Sequence, residues 1–135
     1  MPAINTKKKP IDLEDPANRK KLVQMIMRLF ALWQLDTISQ LNLLGLSPKS
    51  RALLGKYREG KQALATRDAL DRIGWLLSIH KALRLLYSKN EDLRYSWVKR
   101  RNQALNNLTP LDIMKEQGLI GLAKIARYLD YLRGQ

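Results

Sequence analysis

The stretch TRDALDRIGWLLSIHKALRLLY, residues 66–87, decides the fold class. Ala69, Leu70, Ile73, Leu76, Leu77, His80, Leu83 and Tyr87 recur at spacings of three and four, which puts them on one face of a helix. Thr66 stands where a capping hydroxyl is needed, just before the first periodic residue. A helix of this length needs neighbours to cover its apolar face, and the flanking sequence supplies them.

On the N-terminal side, Leu22, Met25, Ile26, Leu29, Phe30 and Trp33 mark a first helix that opens at Pro16. Asp36 caps a short second helix carrying Ile38, Leu41 and Leu44, and Gly45 stops it. Ser47-Pro48 reads as the start of a third helix, a capping residue followed by proline at the first helical position, running through Leu53, Leu54 and Tyr57 to Gly60. On the C-terminal side, Asn90 caps a fifth helix with Leu93 and Trp97 inward, and residues 102–108 form a connecting loop. Thr109-Pro110 opens a short sixth helix with Leu111, Ile113 and Met114. Gly118 breaks it, and a last helix follows from Leu119 to Arg133. No strand-like alternation appears, so the expected fold is all-α. It divides into an arm, 1–15, a helix-turn-helix module, 16–65, and a long linking helix with a C-terminal module, 66–135. The arm holds Lys7, Lys8 and Lys9 followed by Asp12, Glu14 and Asp15, with no periodic apolar pattern, and reads as a mobile tail.

The chain has 135 residues, 45% of them hydrophobic, which suffices for an ordinary core. It has no cysteine, so disulfides and thiolate-bound metals are excluded. No signal-peptide pattern and no apolar run of membrane-spanning length appears, which fits a cytoplasmic protein without a membrane partner. Lys and Arg number 25 against 12 Asp and Glu, a net charge of +13 that favours a polyanionic partner. The excess does not localise that partner. Residues 1–61 carry 12 basic and 5 acidic groups and the remainder 13 and 7, hence +7 and +6.

The segment from Pro16 to Gly60 has helix-turn-helix form, in which the later short helix enters a DNA groove. Its candidate DNA contacts are Lys49, Ser50 and Arg51 toward base edges or flanking phosphates, and Lys56, Arg58 and Lys61 toward the backbone. A helical hairpin with a solvated basic face gives the same pattern. Gln40 falls where the first helix of such motifs is usually apolar, and Gly55 weakens the recognition helix by about 1 kcal/mol relative to alanine. His80, the lone histidine, reads as a core residue with one hydrogen bond, since no companion ligand exists for a metal. No carboxylate pair, phosphate loop or nucleophile motif appears, so no catalytic residue and no cofactor is assigned.

The last helix is apolar over much of its circumference. Leu119, Leu122, Ala126 and Leu129 form one stripe, and Ile125, Tyr128 and Leu132 a second, rotated from it. Such a helix is either central in its own core or buries one side in a partner. Lys124, Arg127, Tyr131 and Arg133 fill the polar remainder, as an interface rim does.

These pieces occur in a recognisable order. Asp68-Ala69-Leu70-Asp71-Arg72-Ile73 leads through residues 76–83 to Leu85-Leu86-Tyr87, then Trp97, Arg101-Asn102 and Thr109-Pro110-Leu111-Asp112-Ile113-Met114. Gly118 and Tyr128-Leu129-Asp130-Tyr131-Leu132-Arg133-Gly134 close the chain. From about Met25 to Gly134 the sequence resembles the Xre/MbcA/ParS antitoxin family, an Xre-like helix-turn-helix followed by a toxin-binding domain. The resemblance implies a RES-domain toxin that depletes NAD as partner, a C-terminal domain that obstructs the toxin's active site, a homodimer, and binding of operator DNA in autorepression. It implies toxin contacts at Lys115, Lys124, Arg127, Tyr128, Tyr131 and Arg133. A stand-alone regulator whose C-terminal helices only dimerise it, or an adaptor recruited by another protein, are the alternative readings.

Overall fold

The computed structural model describes residues 12–135. Six helices follow one another: α1 (Pro16–Leu32), α2 (Thr37–Leu43), α3 (Arg51–Arg58), α4 (Arg67–Leu86), α5 (Glu91–Ser96) and α6 (Pro110–Arg133). Short 3₁₀ turns, Trp97–Lys99 and Gln103–Leu105, lie between α5 and α6. The all-α expectation holds. The basic stretch of the arm lies outside the described residues. Its last part is folded onto α1: Asp15 accepts from the Ala17 amide at 3.0 Å and Asn18 Nδ2 donates to the Asp12 carbonyl at 2.9 Å.

The helix starts follow the capping chemistry. Asp36 accepts from the Ser39 amide at 2.8 Å, Thr66 from Ala69 at 3.1 Å, Asn90 from Leu93 at 3.1 Å and Thr109 from Asp112 at 3.0 Å. Gly45, at φ +72°, ends α2 in a left-handed turn in which the Leu46 amide reaches the Leu41 carbonyl at 2.8 Å. The end of α1 uses the same turn with a non-glycine residue. Gln34 adopts φ +56°, and the Lys99 ammonium holds its carbonyl at 2.6 Å. Gln40 belongs to this junction as well, since its Nε2 donates to the Leu35 carbonyl at 3.0 Å. A side chain that looks misplaced for a helix-turn-helix therefore ties α2 to the end of α1.

The start of α3 differs from expectation. Ser47-Pro48 does not open the helix. The Ser47 hydroxyl accepts from the Lys49 amide at 3.1 Å and its carbonyl from Ser50 at 2.9 Å, closing a separate turn. A serine that satisfies backbone amides this way competes with helix nucleation. The helix begins at Arg51, and residues 44–50 separate it from α2. That connection is longer than the roughly three- or four-residue turn of a helix-turn-helix.

The core runs without a break through both halves, from Val23, Phe30 and Trp33 through Leu54 and Ile73 to Met114 and Leu129. Here α4 lies against α6, α1 spans α3 and α4, and α2 rests on α6. Arg72 joins these parts. Its guanidinium pairs with Asp68 at 2.8 Å and reaches the Asn42 carbonyl at the end of α2 at 3.5 Å. It also lies beside Gly118, the kink of α6. Gly118 has φ +61° and ψ −136°, a conformation open to glycine and not to helix, so it divides α6 where the sequence places a break.

Two apolar residues expected inward face outward. Met25 is 43% exposed and Ile38 48%, because each lies off the arc that its helix turns to the core. His80 also differs from a core histidine. It is half-buried and stacks on Tyr95 at 6.3 Å, and Arg94 lies over the same tyrosine ring. Burial, followed by the nearby Arg84 and Arg94 charges, lowers its pKa below the ordinary 6.5. The unfolded chain therefore binds the proton first, and stability present above about pH 6.5 declines as pH falls through the folded-state value. Urea midpoints measured across that window should fall for the native chain and flatten for His80→Gln.

Candidate functional site

Two surfaces bring the sequence candidates together, one on α6 and one on α3. On the second half of α6, Gly121, Leu122, Ile125, Ala126 and Leu129 are buried. Leu119, Tyr128 and Leu132 are half-buried against the same core, and Tyr128 stacks on Trp97 at 6.4 Å. Both apolar stripes expected from the sequence are thus one broad band packed into the protein's own interior. The partner-facing candidate is a third line. Ile120, Lys124, Arg127 and Tyr131 follow one another at steps of four, three and four, which keeps them on one helix face. All four are exposed, Ile120 to 74% and Tyr131 to 61%.

The line is basic and apolar together. Arg127 lies over the Trp75 ring of α4, 5.7 Å from its centroid, and Lys124 Nζ donates to Gln117 Oε1 at 3.4 Å. A hollow of about 520 Å³ opens between them, lined by Trp75, Leu119, Ile120, Ala123, Lys124 and Arg127. Stacking on Trp75 fixes the Arg127 guanidinium without neutralising it.

Of the six toxin-facing candidates, Lys124, Arg127 and Tyr131 share this line. Arg133 lies at the helix end, paired with Asp130 at 3.1 Å. Tyr128 is turned to Trp97. Lys115 lies before the kink, on the side of α2. The Asp36 carboxyl is held below its usual range chiefly by the Ser39 amide, and the Lys115 and Lys99 charges add to that effect. Ile120 and Trp75 escaped the sequence reading. Ile120 follows Leu119 directly, and a helix turns consecutive residues about 100° apart, so both cannot face one core. Trp75 follows Gly74 at the edge of the α4 stripe.

On α3, Leu54 and Tyr57 are buried while Arg51, Ala52 and Lys56 are exposed, so the outward face carries two cations with small residues between them. Lys49 is exposed in the turn before the helix and Ser50 is half-buried there. Arg58 is exposed, and Gln24 Nε2 of α1 donates to its backbone carbonyl at 3.2 Å. Lys61 lies past the helix and pairs with Glu59 at 3.3 Å. The structure thus keeps only Arg51, Lys56 and Arg58 on the helix itself.

The outer line of the last helix is basic at Lys124 and Arg127 and apolar at Ile120, a mixture suited to contact with another macromolecule. A family model described as the antitoxin Xre/MbcA/ParS C-terminal toxin-binding domain matches residues 82–134, which span the end of α4, α5 and the whole of α6 with its exposed line. Over residues 82–134 the chain belongs to the Xre/MbcA/ParS antitoxin family. It is 30% identical over 120 residues to an uncharacterized protein, y4oB, of Sinorhizobium fredii (strain NBRC 101917 / NGR234), a match covering 89% of this chain and 90% of the relative. Among the described residues, no helix is long and apolar enough to cross a membrane.

Proposed function

We propose that this chain is the antitoxin of a type II toxin–antitoxin pair, that it neutralises a RES-type, NAD-degrading toxin in the cytoplasm by covering its active site, and that it represses its own operon. The observation that carries the first part is the exposed line Ile120, Lys124, Arg127 and Tyr131, which lies within the region matched to the toxin-binding domain. A pocket that receives an anionic dinucleotide attracts cations, and Arg127 and Lys124 supply two on an apolar footing. Expressing the toxin encoded in the adjacent reading frame, with and without this chain, tests the reading. Neutralisation restores growth and cellular NAD, and a toxin that still depletes NAD in the presence of this chain refutes it.

Operator binding rests on the basic face of α3, with Arg51 and Lys56 in the lead and Lys49, Ser50, Arg58 and Lys61 about it. The homodimer that such repression uses has a candidate surface on α1. Met25 and Leu32, the latter 47% exposed, edge a hollow of about 210 Å³ with Leu29 and Leu77. Arg28 lines this hollow and also one shared with Arg58 of α3, so the apolar patch borders the DNA-facing helix. Leu32→Asp should convert the dimer to monomer in sedimentation equilibrium and remove the dependence of the melting temperature on protein concentration. A native chain that is monomeric at all accessible concentrations removes the dimer from the scheme.

A further inference from the structure

The hollow beside Ile120 does not end at α6. On the other side of Trp75 a second hollow of about 520 Å³ is lined by Leu70, Asp71, Gly74 and Ser78 of α4, together with Trp75 and Leu119. Trp75 and Leu119 line both hollows, so the two adjoin over these side chains as one trough. Its walls come from different parts of the chain. Leu119 to Arg127 lie inside the matched toxin-binding region, and Leu70 to Ser78 lie before it.

Gly74 lines this trough and adds no side chain to fill it. Glycine is a poor residue in the middle of a helix, because it has the most backbone freedom to lose. A glycine held there by the fold has a neighbour that a side chain would strike. A Cβ placed on Gly74 meets nothing within 4 Å, so the fold does not require its absence. The trough is also ordered in charge. Asp71 stands at one end and Lys124 and Arg127 at the other, with the indole and Leu119 between them.

We infer that the toxin docks into this trough, and that residues 70–78 of α4 form half of the toxin-binding surface although they precede the family's toxin-binding region. The inference rests on the antitoxin reading above. The toxin segment that fits presents an apolar side chain to Trp75 and Leu119, a carboxylate toward Lys124 and Arg127, and a cationic or donor group toward Asp71. An apolar centre with charged ends gives affinity from the centre and orientation from the ends. Opposite charges at the two ends admit the segment in one direction only.

The test uses the full chain and the protein product of the adjacent reading frame, with dissociation constants from biolayer interferometry and thermal melts of each variant. Gly74→Trp fills the trough from an exposed helical position and should weaken binding about tenfold or more, as loss of an interface centre does, while the melting temperature does not fall. Gly74→Ala should weaken it less than Gly74→Trp, because the loss follows the volume added. Asp71→Lys, a surface change that does not touch the core, should also weaken binding about tenfold. If Gly74→Trp and Asp71→Lys bind like the native chain, the trough is not the docking site, and the antitoxin reading stands on α6 alone. If the native chain itself neither binds nor neutralises the toxin, the antitoxin reading fails and this inference fails with it.

Discussion

Gly121→Ala should destabilise the fold by about 1–3 kcal/mol, the range for forced overpacking in a core. The added Cβ would stand 2.5 Å from the Ile113 carbonyl oxygen and 3.1 Å from Met114 Cα, both backbone atoms, and 3.0 Å from Gln117 Cβ. A flexible side-chain tip would swing aside, but here the first half of α6 itself would have to move. The halves are this close because Gly118 folds them together, leaving Gly121 buried at their crossing. The sign of the effect is decisive. Helix propensity alone makes alanine more stable than glycine by about 1 kcal/mol, so a raised urea midpoint would refute the close-packing account. A lowered midpoint with an unchanged slope supports it.

The combined substitution Lys124→Glu and Arg127→Glu should weaken toxin binding about a hundredfold or more, mainly through faster dissociation. Neither cation has a carboxylate partner among the described residues, so reversing them breaks no ion pair there. Reversal places two negative charges against a surface that, on the proposed reading, receives anions, and like charges at a dry contact cost more than a lost attraction. Dissociation rates by surface plasmon resonance at two salt concentrations check this. Rates equal to those of the native chain would remove the α6 line from the interface. Reversing Arg51 and Lys56 instead should abolish operator binding in a gel-shift assay, which would assign the two basic surfaces to different partners.

The helices were legible in the sequence because capping and apolar periodicity are local properties. Asp36, Thr66, Asn90 and Thr109 announce their helices, and Gly118 its break. The start of α3 was not, since Ser47 has equal chemical licence to cap a helix or to close a turn, and only the surrounding chain decides. The sequence leaves two readings of the last helix open for a related reason. Periodicity reveals that residues 119–132 are apolar on two stripes, but whether one core covers both depends on how far α4 and Trp97 wrap round them. The exposed line therefore came from residues the stripes left over, and its apolar anchor, Ile120, was hidden by adjacency to Leu119. Gly74 and Trp75 carry no local signal at all, because a trough exists only once α4 and α6 lie together.

The unbroken core has a consequence for the protein's lifetime. Since the interior passes from α1 through α4 into α6 without a seam, the segment bearing Arg51 and the segment bearing Arg127 belong to one cooperative unit. A protease that catches the chain open at any point removes both surfaces at once. On the proposed reading, a toxin bound to α4 and α6 would lower the population of that open form for the whole chain, the α3 face included. On that reading, repression and neutralisation would then decay on a single clock, slow while the complex is intact and fast once the toxin is gone.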